Sequence, residues 1–323
     1  MRAIRIHETG GVEKLRLDEV ALPQPAAGQL RFRVAAAGLN FIDIYKRSGL
    51  YPVELPHTLG GEAAGTVTAV GAGVVDFRVG DRVASAAVLG SYATEALAPA
   101  GQTVAVPPDL DLNLAAALLL QGMTAHYLAV DTFPLKPGDT ALVHAGAGGV
   151  GLLLTQIARK RGARVIATVG NEEKAPLARA AGAERVCIYS REKFSEAARV
   201  FTEGRGVDVV YDGVGRDTFE GSLNSLRPRG MLVSFGNASG PVPPFQPLLL
   251  SQKGSLYFTR PTLAHYALTA AELKARAADL FAWVTAGELQ VRIGATFPLS
   301  AAADAQRALE GRKTTGKVLL LPE

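Results

Sequence analysis

Val143-His144-Ala145-Gly146-Ala147-Gly148-Gly149-Val150-Gly151 is the stretch whose reading decides the fold. It sets Gly146, Gly148 and Gly151 in a G-x-G-x-x-G pattern. An apolar run over 139–144 precedes it, and apolar residues recur at helical spacing over 150–161. One glycine permits a tight turn, one lets backbone N–H groups approach a phosphate, and one lets the helix pack close to the strand. The helix N-terminus then faces the anion. Gly146, Gly148, Gly149, Val150 and Gly151 are therefore candidates to hold a pyrophosphate.

Downstream, strand candidates over 140–144, 164–169, 185–189, 207–212 and 230–235 alternate with helix candidates starting near Val150, Glu172, Glu192, Asp217 and Phe245. Such βαβ repetition predicts an α/β fold with a doubly wound parallel sheet. A last strand is expected over 254–258, a long helical stretch over 263–286, and a tail of mixed character at 291–298, 301–309 and 317–320. Upstream, extended segments at 2–7, 15–20, 30–37, 65–70 and 82–84, punctuated by glycine and proline, predict an antiparallel β unit. A helix over 112–130 links it to the glycine turn. The nucleotide-binding domain is thus inserted into a β-rich one, with ligand expected in the crevice between them at the carboxyl ends of the parallel strands.

Composition narrows the function. The chain has 323 residues, 48% of them hydrophobic, enough for two cores. A net charge of +4 spread over small mixed groups argues against a nucleic-acid partner. No apolar run approaches the roughly 18 residues of a membrane span. The first residues alternate like a strand and lack the apolar core of a signal peptide, so a cytoplasmic location is expected. The single cysteine, Cys187, precludes an intrachain disulfide and suits a reducing compartment.

Several segments carry a family resemblance: Gly38-Leu39-Asn40-Phe41-Ile42-Asp43, Leu59-Gly60-Gly61-Glu62, Gly80-Asp81-Arg82-Val83 and the glycine turn. With their order, they resemble the medium-chain dehydrogenase/reductase superfamily. Arg47-Ser48-Gly49-Leu50-Tyr51-Pro52, Tyr211 to Asp217, Ser234 to Gly240 and Gln252 to Leu256 are similar to its zeta-crystallin-type quinone oxidoreductases. The resemblance spans almost the whole chain. It implies a Rossmann domain over 125–262 within a GroES-like catalytic domain of residues 1–124 and 263–323. Zinc-dependent relatives place a Cys after the early strand and a His in a Gly-His-Glu triplet; here the stretches read Gly38-Leu39-Asn40 and Gly60-Gly61-Glu62. The five histidines show no ligand spacing, so no metal is expected.

Without a Lewis acid, the preferred acceptor is one that delocalises charge by itself, which makes a quinone the expected small-molecule substrate. Conjugated enals and enones are the alternative and fit less well, since hydride addition leaves an enolate whose oxygen needs a donor. A non-catalytic NADPH- and RNA-binding, crystallin-like role is a third reading, opposed by the intact turn and the scattered charge. The second parallel strand ends Thr168-Val169-Gly170-Asn171, with glycine where NAD-preferring proteins place a carboxylate. Gly170 leaves room for a 2′-phosphate and Lys174 is placed to pair with it, so NADPH is the expected cofactor. Glu172 and Glu173 are rival ribose ligands or simply dipole-matching residues of a first helical turn.

The resemblance adds Tyr189 and Arg312 to the phosphate site, and gives Phe41, Ile42 and Tyr127 to the cofactor. It also carries Asn40, Asp43, Tyr45, Tyr51 and Thr124 to the reacting end. Asn40 and Thr124 would orient nicotinamide and substrate, Tyr45 and Tyr51 wall the pocket or donate to a carbonyl, and Asp43 order it; Asn40 also reads as a helix cap and Tyr45 as packed core. Phe235 and Asn237 follow the fifth parallel strand, where topology puts a loop near nicotinamide. The segment Ser255 to Thr259 would lie at the sheet edge and invite a homodimer by strand pairing.

Overall fold

Glycine and proline turns between short runs of apolar and β-branched residues make strands of the early chain. The computed structural model describes residues 1–323. Its first elements are β1 (Arg2–Ile6), β2 (Arg16–Glu19), β3 (Gln29–Leu39), α1 (Phe41–Ser48), β4 (His57–Thr58), β5 (Ala63–Val70), β6 (Arg82–Ser85), β7 (Glu95–Pro99) and β8 (Thr103–Ala105). β1 pairs antiparallel with β2 and β4 in a small sheet. α2 (Leu112–Tyr127) follows and loosens into a π turn at Leu128–Thr132, where an unbroken helix to residue 130 was expected. The chain forms two compact units, Met1–Leu120 with Ala267–Glu323, and Gln121–Tyr266.

The second unit holds β9 (Thr140–Val143), α3 (Gly149–Lys160), β10 (Arg164–Val169), α4 (Ala175–Ala180), β11 (Arg185–Ile188), α5 (Phe194–Phe201), β12 (Val207–Asp212), α6 (Phe219–Ser225), β13 (Leu226–Ser234), α7 (Leu248–Gln252) and β14 (Tyr257–Thr259). Its six strands run in the order β11-β10-β9-β12-β13-β14, every neighbour parallel. This is the doubly wound arrangement, with the order reversing between β9 and β12, where ligands meet strand carboxyl ends. Both faces are covered, so β9 and β12 are buried throughout. Leu142, Ile166, Val210, Leu223 and Leu232 build the core. Two helices expected here begin later. Glu172–Lys174 is a single 3-10 turn before α4, and the helix expected near Phe245 waits until Leu248, because Pro241, Pro243, Pro244 and Pro247 cannot donate to a helix ladder.

The chain then returns to the first unit with α8 (Ala270–Thr285), β15 (Ile293–Pro298), α9 (Ala302–Glu310) and β16 (Lys317–Leu321). The expected helix over 263–286 is divided, since Thr269 caps α8 and only a 3-10 turn, Leu263–His265, precedes it. The seven-stranded sheet runs β15-β16-β3-β5-β6-β8, with β7 also on β3. β3 buries Leu30, Phe32, Val34 and Ala36 on one face at the period of a half-covered strand. No helix is long and apolar enough to cross a membrane.

Candidate active site

The glycine turn bends at Ala145, a non-glycine residue at φ 51°. Gly146 N–H donates to Thr168 O on β10 at 2.8 Å, and Gly148 N–H to Ala145 O at 2.8 Å. Gly148 is the N-cap of α3, so the first N–H groups of that helix have no carbonyl one turn back and are left for an anion. Gly151 is required by close approach: a Cβ there would sit 2.9 Å from Gly146 Cα. These residues fit a pyrophosphate through backbone donors and the absence of side chains.

At the carboxyl end of β10, Tyr189 Oη lies 3.1 Å from where a Cβ on Gly170 would stand. A side chain at residue 170 would therefore displace the tyrosine. Asn171 caps the following turn, its Oδ1 accepting from Lys174 N–H at 3.2 Å, which places Lys174 beside Gly170. Glu172 is ion-paired with Arg191, so the acid that rivals the lysine at this corner already has a cation. One strand further round, Asp212 Oδ1 accepts from Val214 and Gly215 N–H at 2.8 and 3.0 Å and fixes the loop after β12. The loop carrying Phe235 and Asn237 lies against it, with Ala238 N–H on Gly213 O at 3.2 Å and Ser239 N–H on Val214 O at 2.8 Å. Thr124 and Tyr127 sit at the end of α2. Both are buried, and the Tyr127 ring stacks on Tyr266 with centroids 4.4 Å apart.

In the first unit, β3 runs into α1 at Asn40. The N–H of Asn40 donates to Asp43 Oδ2 at 2.9 Å, one half of a capping box. Its carboxamide is committed to the interior: Nδ2 donates to Gly38 O at 3.1 Å and to Glu62 Oε2 at 2.9 Å, and Oδ1 accepts from Lys317 Nζ at 2.8 Å. Glu62 Oε2 also accepts from Lys317 Nζ, and its Oε1 from Leu120 N–H at 2.7 Å. Both hydrogens of Asn40 are spent, so in this arrangement only a lone pair of Oδ1 remains for a ligand. Asp43 is fully buried and accepts from Tyr92 Oη at 2.9 Å, while its Oδ1 has no hydrogen-bond partner. Burial pushes its carboxyl up to about 6, against hydrogen bonds from Asn40 and Tyr92 that pull it down. Phe41 and Tyr45 share a helix face with centroids 6.1 Å apart, and Tyr51 meets Tyr45 edge-on at 5.3 Å. Ile42 is exposed, and Arg312 lies just after α9.

Comparison with known proteins gives this geometry a family. Residues 26–135 match the alcohol dehydrogenase GroES-like domain, and residues 149–283 match the family described as zinc-binding dehydrogenase. A quinone oxidoreductase of Pseudomonas aeruginosa is 46% identical over 99% of both chains. The chain belongs to the quinone oxidoreductase family. This family membership makes it an oxidoreductase of the medium-chain dehydrogenase/reductase type. A 2-haloacrylate reductase of a Burkholderia species is 45% identical over 98% of both chains. The crystal structure of Escherichia coli quinone oxidoreductase complexed with NADPH superimposes with a TM-score of 0.98 at 43% identity, over all of both chains.

Within this quinone oxidoreductase fold, sequence reading had singled out Asn40 and Asp43 but not their partners Glu62, Tyr92 and Lys317. Lys317 opens an apolar strand, and a charged residue at an inward position of a strand was the signal to follow. Its ammonium lies against Asn40 Oδ1 and Glu62, the neighbourhood where zinc-dependent relatives set their metal ligands. No three His, Cys, Asp or Glu side chains are grouped as a metal would need.

Proposed function

We propose that this chain reduces quinones with NADPH and without a metal ion. The observation that carries the cofactor reading is the corner at the end of β10: glycine instead of a carboxylate, a tyrosine hydroxyl over it, Lys174 alongside, and Glu172 already paired with Arg191. That corner accepts a phosphate that an acidic one would repel. NADPH, when bound, supplies a hydride. The protein's part is to hold the pyrophosphate on α3, the 2′-phosphate near Lys174 and Tyr189, and the nicotinamide near Phe235 and Asn237.

The acceptor follows from the groups on α1. Asp43 is fully enclosed and the hydrogens of Asn40 are committed, so neither is a ready proton donor to an acceptor. An acceptor that becomes aromatic on reduction needs little acid assistance, and quinones meet that condition. Lys317 supplies the fixed positive charge of this region in place of a metal. The likeness to a 2-haloacrylate reductase favours a second reading, reduction of activated carbon–carbon double bonds. A cytoplasmic setting suits Cys187, buried and with its thiol pushed up to about 11 mainly by burial, hence inert.

Steady-state oxidation of NADPH and NADH with ortho- and para-quinones, an enone and 2-chloroacrylate tests these readings. Turnover is expected fastest with NADPH and a quinone, undiminished by a chelator; activity with 2-chloroacrylate alone transfers the assignment to double-bond reduction. Lys174→Ala should weaken NADPH binding by roughly 1–3 kcal/mol and leave NADH nearly untouched, the scale of one hydrogen bond to a charged group. An equal loss for both nucleotides removes Lys174 from the phosphate site.

A further inference from the structure

Beneath the glycine turn four buried side chains stand in line. Thr168 Oγ1 is 2.9 Å from His144 Nδ1, His144 Nε2 is 3.0 Å from Ser222 Oγ, and Ser222 Oγ is 2.8 Å from Asp212 Oδ2. They come from β10, the end of β9, α6 and β12, and none is more than 2% exposed. With the carboxylate at one end, the hydrogen inventory fixes the directions on the Ser222 side. The Asp212 carboxylate only accepts, so it takes the single hydrogen of Ser222. Ser222 must then accept from His144, which puts the imidazole hydrogen on Nε2. Burial favours the neutral ring, in which Nδ1 carries no hydrogen and accepts from the Thr168 hydroxyl. That burial lowers the ring's affinity for a proton against the opposing pull of Asp212.

Each end of this line touches a different wall of the nucleotide site. Thr168 O receives the Gly146 N–H, and the strand reaches Gly170 two residues later. Asp212 holds the N–H groups of Val214 and Gly215, on which the Phe235–Gly240 loop rests. We propose that His144 is a positioning residue for the nicotinamide cofactor: it ties the phosphate and ribose wall to the nicotinamide loop through a directed chain of hydroxyls. The inference rests on the NADPH reading above and adds a group that touches no ligand itself. A ring present only to fill space, packed edge-on against Phe194 at 4.7 Å, would be replaceable by phenylalanine. A bridge needs one acceptor and one donor about 2 Å apart on the same side chain, which glutamine supplies and phenylalanine does not.

The test uses the full chain with His144→Gln, His144→Phe and Ser222→Ala. NADPH affinity is measured by fluorescence titration and kcat with a quinone, at a temperature where melting curves show each protein folded. His144→Gln should bind NADPH within about threefold of the parent, whereas His144→Phe should bind at least about tenfold more weakly, the scale of one lost hydrogen bond of ~1.4 kcal/mol. Ser222→Ala removes the link between His144 and Asp212 and leaves the Thr168 bond in place, so kcat should fall more than affinity. Parental affinity and turnover in His144→Phe, or equal damage from Gln and Phe, overturns the proposal. If His144→Phe does not fold, Ser222→Ala decides, and parental kcat in that variant overturns it. A parent protein that fails to bind NADPH refutes the proposed function instead, a result separate from a binding parent matched by its phenylalanine variant.

Discussion

Lys317 and Glu62 are both fully shielded from water, and two charges survive there only as a bonded pair. Lys317→Met strands the carboxylate and should destabilise the protein by about 3–5 kcal/mol in denaturant unfolding, with Glu62→Gln in the same chain restoring part of the loss. No recovery in the double variant would mean that the lysine acts through packing alone. Asp43 makes a different prediction. Its carboxyl is raised from 3.8 to about 6 by burial, so the folded state holds a proton that the unfolded chain has released. The stability this confers is complete below pH ~4 and is lost as pH rises through ~6, a change on the order of 3 kcal/mol. Asp43→Asn should flatten that slope in unfolding measured from pH 4 to 7; an unchanged slope would place the titrating group elsewhere. The glycine turn was legible because its chemistry lies within nine consecutive residues. The network around Asn40 was not, since Lys317 stands 255 and 277 positions from the residues it pairs with, and no local pattern encodes that meeting.

Elements were readable where periodicity or punctuation is strong. β9, β10, β11 and β12 are short apolar runs bounded by turn residues, and the expected spans overlap the observed ones closely. The weaker signals failed for identifiable reasons. β7 and β8 are only five and three residues long and separated by a single 3-10 turn, so neither makes a run long enough to show alternation. α8 shows what was overlooked in the 263–286 stretch. Thr269 Oγ1 accepts from Glu272 N–H at 3.2 Å, and the Glu272 carboxylate returns to Thr269 N–H at 3.0 Å. That capping box starts the helix and leaves the preceding residues outside it. Thr269→Ala should cost about 1 kcal/mol of stability, and a melting curve that does not move would show the helix start to be held by packing instead.

For the whole molecule, one edge of the parallel sheet is β14, three residues long, with Tyr257 59% exposed. An unpaired edge offers backbone donors and acceptors to a second copy, and we propose a homodimer through this strand. Light scattering after size exclusion should give twice the chain mass for the parent and the single-chain mass for Tyr257→Asp. A parent already of single-chain mass would remove the proposal. The other sheet carries a consequence for biosynthesis. β16 lies between β15 and β3, so the middle of this layer is filled by a strand translated almost three hundred codons after β3. Until it arrives, the acid at residue 62 has no counter-ion. The inserted unit is made in one continuous stretch and can mature as soon as it emerges, whereas the flanking one must await its second segment.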